Sequence, residues 1–170
     1  RPTSPHLDRF AGECVFFTNA HAHSPFTATS HATLFSSLYQ DTHGVWNKVV
    51  APDGAVHFPE FGSANYSLAE AFLRGGYQTA AFADGGMLSR RRQFHQGFET
   101  YSSLFEGVER KVDRAIEWLE GRDDPRPFFL FVHTYQAHIP LLPDPAQVDA
   151  FLPEYDGPLR AAYARALAER

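Results

Sequence analysis

A run of five apolar residues, Phe128–Val132, most narrows what this chain can fold into. The run reads FFLFV between Pro127 and His133, and it is too short for a helix. A strand that does not alternate polar and apolar side chains is typical of a parallel sheet covered by helices on both faces. We therefore predict a central strand here, buried on both faces.

Other segments alternate between strand and helix patterns. YQTAAFA at residues 77–83 and CVFFT at residues 14–18 are predicted strands. Ser67 and Glu70 have the spacing of a capping box at the start of a helix. Together these patterns predict an α/β fold with a largely parallel sheet flanked by helices. The predicted helices cover residues 5–13, 29–39, 67–73, 108–119 and 158–170, and residues 46–65 are expected to be irregular.

Composition excludes several classes of protein. Sixteen phenylalanines and two tryptophans in 170 residues suit one domain with a sizeable core and exclude a disordered chain. A formal net charge of −5 argues against a nucleic-acid partner, and we interpret the basic run Arg90–Arg92 as a solvated loop. No apolar run approaches the roughly 20 residues of a membrane span. The single cysteine, Cys14, excludes an internal disulfide and is interpreted as a buried strand thiol.

The candidate site lies where the predicted strands end. In open α/β sheets, ligands bind beyond the carboxyl ends of the strands. His133 follows the FFLFV strand, and His138 lies five residues further on. Thr27 precedes a predicted helix, whose N-terminal amides and dipole would attract an anion. Two imidazoles and one hydroxyl are therefore expected at one rim of the sheet.

Each of these residues also has a structural interpretation, and spacing alone leaves both open. Thr27 or Thr29 could be a helix N-cap. His31 could be a histidine on a helix face, and His43 a cation stabilised by the C-terminal end of a helix dipole. His133 could be a core histidine with satisfied hydrogen bonds.

Four blocks of the sequence resemble type I sulfatases of the alkaline-phosphatase superfamily. TSPHLDRFAGECVFFTNA resembles the family opening TPNLDRLAAEGVRFTNAY. SPFTATSHATLFSSLYQDTHGV is similar to the signature C-x-P-S-R-x-x-L-x-x-G with its following H-G. LAEAFLRGGYQTAAFADGG resembles the unit that ends in G-Y-x-T, and RPFFLFVHTYQAHIP resembles the strand PFFLFVHYYDPHxPY. The blocks occur in the family order over about the first 145 residues.

The resemblance implies a metal-assisted enzyme acting on sulfate or phosphate esters of small molecules, glycans or lipids. At the signature cysteine, which sulfatases convert to formylglycine, this chain has Thr27, so formylglycine cannot form. The related phosphoethanolamine transferases and lipoteichoic acid synthases use a threonine alkoxide on a metal. We therefore expect Thr27 to be both nucleophile and metal contact, because a free hydroxyl needs such activation. The cation could be calcium, magnesium, manganese or zinc.

By the same resemblance, His138 matches the histidine that holds the ester oxygens or protonates the leaving group. His133, Ser30 and His31 are the expected substrate-binding residues, with Ser30 keeping the signature serine and His31 replacing its arginine. The family block G-K-W-H-L-G is absent, because residues 83–88 read ADGGML. The lysine and the histidine of that block are both missing.

The family's metal aspartates lie on strands that residues 1–170 do not contain. We therefore interpret residues 1–170 as an internal segment of a catalytic sulfatase-like domain, which is expected to be inactive by itself. Three classes of function remain open for the whole protein. It could be a sulfatase-like hydrolase that acts on sulfate esters. It could instead act on phosphorus, as a phosphodiesterase, a phosphonate hydrolase or a phosphoethanolamine-type transferase, or it could be an inactive binding or scaffold domain.

Overall fold

Three parallel strands form the sheet that organises the molecule. In the computed structural model, which describes residues 4–58, 60–139 and 143–168, the central strand is β3 (Gln78–Ala83). Strand β4 (Thr100–Ser102) pairs with one edge of β3, and β5 (Phe128–His133) pairs with the other. The predicted α/β fold with a parallel sheet is thus confirmed.

Helices and a small hairpin complete the described structure. Strands β1 (Val49–Val50) and β2 (Val56–His57) pair antiparallel within the segment that we expected to be irregular. Short 3₁₀ turns occupy Gly86–Leu88 and Arg90–Arg92. The helices are α1 (Pro5–Ala11), α2 (Thr27–Ser36), α3 (Gln40–His43), α4 (Leu68–Arg74), α5 (Val108–Glu120), α6 (Pro145–Phe151) and α7 (Pro158–Ala168).

Core residues cover both faces of β3, because successive side chains of a strand point to opposite faces. Ala81 and Ala83 pack in a cluster with Phe35 of α2 and with aromatic side chains of the loops. Ala80 and Phe82 face the other way and pack against Ala115 of α5. The sheet is therefore a layer between α2 and α4 on one side and α5 on the other.

Local signals in the sequence explain several helix ends. The Ser67 hydroxyl accepts a hydrogen bond from Glu70 N–H, and the Glu70 carboxylate accepts one from Ser67 N–H, so the predicted capping box is confirmed. Gly44 ends α3 with a φ of 70°, in the left-handed region where glycine is favoured. Helix α5 ends at Glu120, one residue beyond the predicted end at residue 119, and Gly121 is its C-cap.

The prediction that FFLFV forms the central strand is wrong. Strand β5 is an edge strand of the described sheet, and the side chains of Phe128 and Val132 are exposed on it. An apolar run indicates that a strand is buried in the folded protein, but it does not specify how many neighbours the strand has. The order of strands depends on pairing with distant parts of the chain.

The prediction of a strand at residues 14–18 is also wrong. The segment has no strand pairing, and the side chains of Val15, Phe16 and Phe17 are exposed. Cys14 is an exposed free thiol rather than a buried one. A strand exists only with a hydrogen-bonded neighbour, and no described segment supplies one here. In the described part of the chain, no helix has both the length and the apolar character of a membrane span.

Candidate functional site

The carboxyl ends of β3 and β5 meet at one rim of the sheet. Asp84 directly follows β3, and its N–H donates to the carbonyl of His133, the last residue of β5, at 3.2 Å. The start of α2 reaches the same rim, since the His31 ring packs against the His133 ring with centroids 5.1 Å apart. The rim is therefore built from both strands and from the N-terminal turns of one helix.

A cleft of about 770 Å³ opens at this rim. It brings together the loop before α2, the loop after β3, the residues before α5 and the loop after β5. Its polar lining residues include Thr27, Asn47, Asp84, Glu106, Tyr135 and His138. Thr27 and His138, which are 111 positions apart in sequence, thus line the same cleft.

Thr27 is the first residue of α2, and neither Thr27 nor Thr29 is the N-cap. The cap position belongs to Phe26, whose backbone is extended and whose side chain makes no capping bond. Ser24 satisfies the Phe26 N–H instead, at 3.2 Å. The N-cap interpretation of the two threonines is therefore wrong. Because no side chain caps the first turn of α2, its amides can face an anion in the cleft.

His138 is exposed in the loop after β5 and is oriented by two local hydrogen bonds. Its backbone N–H donates to the carbonyl of Tyr135 at 2.8 Å. Its ring Nδ1 lies 2.7 Å from the carbonyl oxygen of Ile139, so Nδ1 carries the proton and donates it. Nε2 is then the ring nitrogen that is left to face a substrate.

His31 and His133 pack against each other beside the cleft but are not among its described lining residues. His31 Nδ1–H donates to the carbonyl of Thr27 at 2.8 Å. Burial lowers the pKa of His31, although this hydrogen bond acts in the opposite direction. Burial, together with the neighbouring His31, lowers the pKa of His133 to about 4, and the carboxylate of Asp84 partly offsets this. Both rings are therefore neutral at pH 7.

Ser30 lines a different cavity. This second cavity measures about 560 Å³, and His21, His23 and Tyr39 also line it. Thr27 lines the cleft and Ser30 lines this second cavity, although residues three positions apart lie near the same face of a helix. The substrate-binding role of Ser30 stays a prediction.

His43 is a buried structural link rather than a cation. Its Nδ1 accepts a hydrogen bond from Val45 N–H at 3.0 Å, so Nε2 carries the proton and faces the Thr33 hydroxyl at 3.0 Å. Burial lowers the pKa of His43, which keeps the ring neutral at pH 7. The interpretation of His43 as a helix-end cation is therefore wrong. The ring connects α2 to the end of α3.

A buried ionic cluster beside the cleft escaped the sequence analysis. The Lys111 ammonium is fully buried and lies 3.1 Å from Asp84 Oδ1 and 3.6 Å from Glu106 Oε1. One signal was available: Lys111 lies three positions after Val108 and four before Ala115, on the apolar stripe of α5. A lysine at an apolar spacing indicates either a long side chain that reaches solvent or a buried ion pair.

The described residues do not form a metal site. They contain no group of three or more histidine, cysteine, aspartate or glutamate side chains that could hold a cation. Thr27 is the one residue for which the resemblance predicts a metal contact within residues 1–170. The described side chains therefore do not fit a complete divalent-metal centre.

Comparison with known proteins agrees with the fold. The N-acetylglucosamine-6-O-sulfatase of Bacteroides thetaiotaomicron is 22% identical over 168 aligned residues, which cover 87% of this chain and 28% of that protein. The chain thus spans less than a third of the length of this relative. A family model described as Sulfatase matches residues 1–169. The chain therefore belongs to the sulfatase family.

Proposed function

We propose that the protein containing this chain hydrolyses sulfate esters, with Thr27 as the nucleophile and His138 as the residue that acts on the ester. One observation carries the proposal: Thr27 and His138 line the same cleft, at the uncapped start of α2. Membership of the sulfatase family supports the sulfate ester as substrate. The domain assignment stays part of the proposal: residues 1–170 would contribute to a larger catalytic domain.

In the proposed reaction, the Thr27 hydroxyl gives up its proton to water, its oxygen attacks sulfur, and the bond between sulfur and the alcohol oxygen breaks. The first-turn amides of α2 would face the sulfate oxygens, where the helix dipole favours negative charge. His138, in its protonated form, would donate its Nε2 proton to the leaving alcohol oxygen or bind a sulfate oxygen. Water would then release sulfate from the threonine ester and regenerate the hydroxyl.

A threonine hydroxyl needs activation before it can attack. The resemblance assigns that task to a divalent cation, which would be calcium, magnesium, manganese or zinc. We propose Thr27 as the contact that this chain contributes. The other ligands are expected outside the described residues, because those residues form no complete site.

The proposed substrate class starts from the relative. Its name specifies a sulfate on the 6-oxygen of N-acetylglucosamine, so a sulfated sugar is the first substrate to test. Phosphodiesters and phosphonates are the second class, because residue 27 is a threonine and residues 83–88 lack the family's lysine and histidine. In a phosphoethanolamine-type transfer, an acceptor alcohol would replace water in the second step, and the product would carry the transferred group. An inactive binding domain is the alternative to all of these.

The decisive experiment compares Thr27→Ala with Thr42→Ala in the full-length protein. Thr42 is an exposed threonine in α3 and serves as the matched control. Both variants are assayed with a nitrophenyl sulfate, a sulfated N-acetylglucosamine, a phosphodiester and a phosphonate. We expect Thr27→Ala to lose at least about 10³-fold in kcat, because loss of a nucleophile removes the bond-forming group, while its circular dichroism is unchanged.

Turnover by Thr27→Ala at the rate of Thr42→Ala would remove Thr27 from the mechanism. If the wild-type protein turned over phosphodiesters and left sulfates intact, the substrate class would be wrong but the nucleophile would stand. Wild-type protein without turnover of any ester, measured with each of the four cations added, would favour the binding domain.

A further inference from the structure

The structure assigns a positioning role to Lys111 and Asp84. We propose that these two residues hold the loop that carries His138 against the cleft, so that they act on the ester through His138 rather than by touching it. The inference rests on the proposed function of His138 and deepens it.

Lys111 is bonded in a way that excludes direct contact with a substrate. Its ammonium donates to the carbonyl of Ala83 at 3.1 Å and to the carbonyl of Leu104 at 2.8 Å, and it lies 3.1 Å from Asp84 Oδ1. Two of the three ammonium donors are thus used by backbone carbonyls, and the charge is paired with the Asp84 carboxylate. The side chain is also fully buried. Lys111 therefore joins the end of β3 to the loop before α5, and both of these segments form walls of the cleft.

Asp84 transmits this anchor to the loop after β5. Its second carboxylate oxygen, Oδ2, accepts a hydrogen bond from Tyr135 N–H at 2.7 Å. The carbonyl of the same Tyr135 accepts from His138 N–H at 2.8 Å, and the Tyr135 ring meets the His138 ring edge-on at 5.3 Å. A continuous series of contacts thus runs from Lys111 through Asp84 and Tyr135 to His138.

Charge strengthens the anchor. Burial would raise the pKa of Asp84, but the Tyr135 N–H and the Lys111 ammonium together keep that pKa below its ordinary value. Asp84 is therefore ionised at neutral pH, with Oδ2 accepting from Tyr135 N–H and Oδ1 in an ion pair with the Lys111 ammonium. Glu106, which also lines the cleft, faces Lys111 on one side and pairs with Arg114 Nε at 2.8 Å on the other.

Packing of α5 does not by itself require a lysine at position 111. Buried ion pairs can often be replaced by apolar side chains of similar volume with no loss of stability. An apolar residue would also continue the stripe formed by Val108 and Ala115. Positioning of the loop after β5 is a reason for a lysine here, because its ammonium is fixed beneath the cleft and pairs with Asp84.

The test is a double-mutant cycle between Lys111→Met and His138→Ala in the full-length protein. We expect Lys111→Met to lower kcat by at least tenfold in the wild-type background and by less than twofold in the His138→Ala background, with little change of KM. Residues that act through one another are non-additive in this way. Rates are measured well below the thermal midpoint of each variant. An equal loss in both backgrounds would mean a merely structural role and would overturn the proposal.

Two Asp84 variants keep the test decisive if Lys111→Met does not fold. Asp84→Asn retains an oxygen that can accept from Tyr135 N–H, whereas Asp84→Ala does not. We expect Asp84→Ala to lose at least tenfold in kcat and Asp84→Asn to lose clearly less. Equal losses in these two variants would overturn the role of the Tyr135 hydrogen bond.

A readout without turnover separates this inference from the proposed function. The imidazole resonance of His138, assigned by its loss in His138→Ala, should shift or broaden in Lys111→Met. The control is Arg126→Met, which breaks an ion pair with Asp124 on the surface and should leave the resonance and kcat unchanged. If the wild-type protein cleaved no ester, the proposed function would fail, and an unshifted His138 resonance in Lys111→Met would overturn the positioning role as well.

Discussion

At the scale of single residues, His133 combines burial with an unsatisfied ring nitrogen. It ends β5, and its Nδ1 is buried with no hydrogen-bond partner among the described residues. The groups that influence it are His31, Asp84 and Lys111. Burial and the neighbouring His31 lower its pKa to about 4, so the folded protein holds the neutral imidazole. The charged form would have to lose its water shell without gaining an acceptor.

This predicts a pH dependence of stability. The histidine pKa in the unfolded chain is about 6.5, above the folded value of about 4. Between these values the unfolded state binds more protons. The contribution of the neutral His133 ring to the free energy of unfolding is thus fully present above about pH 6.5. It is lost as the pH falls towards the folded pKa of about 4. We expect the thermal midpoint of His133→Phe to fall less than that of the wild type between pH 7 and pH 4.5.

Exposed His57 provides the control for this measurement. The His57→Phe variant should keep the wild-type change of the thermal midpoint with pH. An identical pH dependence in His133→Phe and the wild type would contradict the assignment of a neutral, half-buried His133.

At the scale of elements, the start of α4 depends on a close approach of a distant loop. The hydroxyl of Ser67, which caps α4, also donates to the carbonyl of Gln96 at 3.0 Å. The next residue, Gly97, has a φ of 81°. A Cβ at that position would collide with the backbone of Ala69 and Glu70 in the first turn of the helix. Glycine is therefore required at position 97 both for its conformation and for its lack of a side chain.

We predict that Gly97→Ala destabilises the protein far more than Gly54→Ala. Gly54 has a similar φ of 84°, but a Cβ there would meet no atom within 4 Å. Both variants carry the cost of a left-handed alanine, roughly 1–2 kcal/mol. Only Gly97→Ala adds a steric clash, which typically costs about 1–3 kcal/mol more. Thermal unfolding measures the difference, and equal midpoints for the two variants would contradict the close approach.

At the scale of the whole molecule, the described chain leaves apolar surface uncovered at one side of the sheet. Strand β5 pairs with β3 along one edge, and no described strand pairs with its other edge. Phe128 and Val132 on this strand are exposed, as are Val15, Phe16 and Phe17 in the segment before α2. A flat, apolar edge strand with unpaired backbone groups tends to associate with another strand.

We predict that the polypeptide of residues 1–170 self-associates through β5. A lysine at an exposed edge position opposes such pairing, so Val132→Lys should shift the sedimentation profile towards monomer. Val112→Lys on α5 is the matched control, because Val112 is 41% exposed and Val132 is 42% exposed. Equal association of the two variants would show that the contact does not involve the strand edge.

Features that act over a few residues were predictable from the sequence. The capping box of Ser67 and Glu70 and the extent of α5 depend on hydrogen bonds and periodicity between near neighbours. The alternation of strands and helices was sufficient for the α/β class and for the parallel sheet. The same alternation predicted that polar residues after the strands would gather at one rim.

The tertiary structure alone decided the features that depend on residues far apart in the chain. It made β3 rather than β5 the central strand, and it left residues 14–18 unpaired, because strand order depends on hydrogen bonds between distant segments. It also brought Thr27 and His138 to one cleft and turned Ser30 towards another. Lys111 beneath Asp84 is the clearest case. The apolar stripe of α5 specifies which side of the helix faces the sheet, but only folding places an ammonium beside the carboxylate that makes its burial favourable.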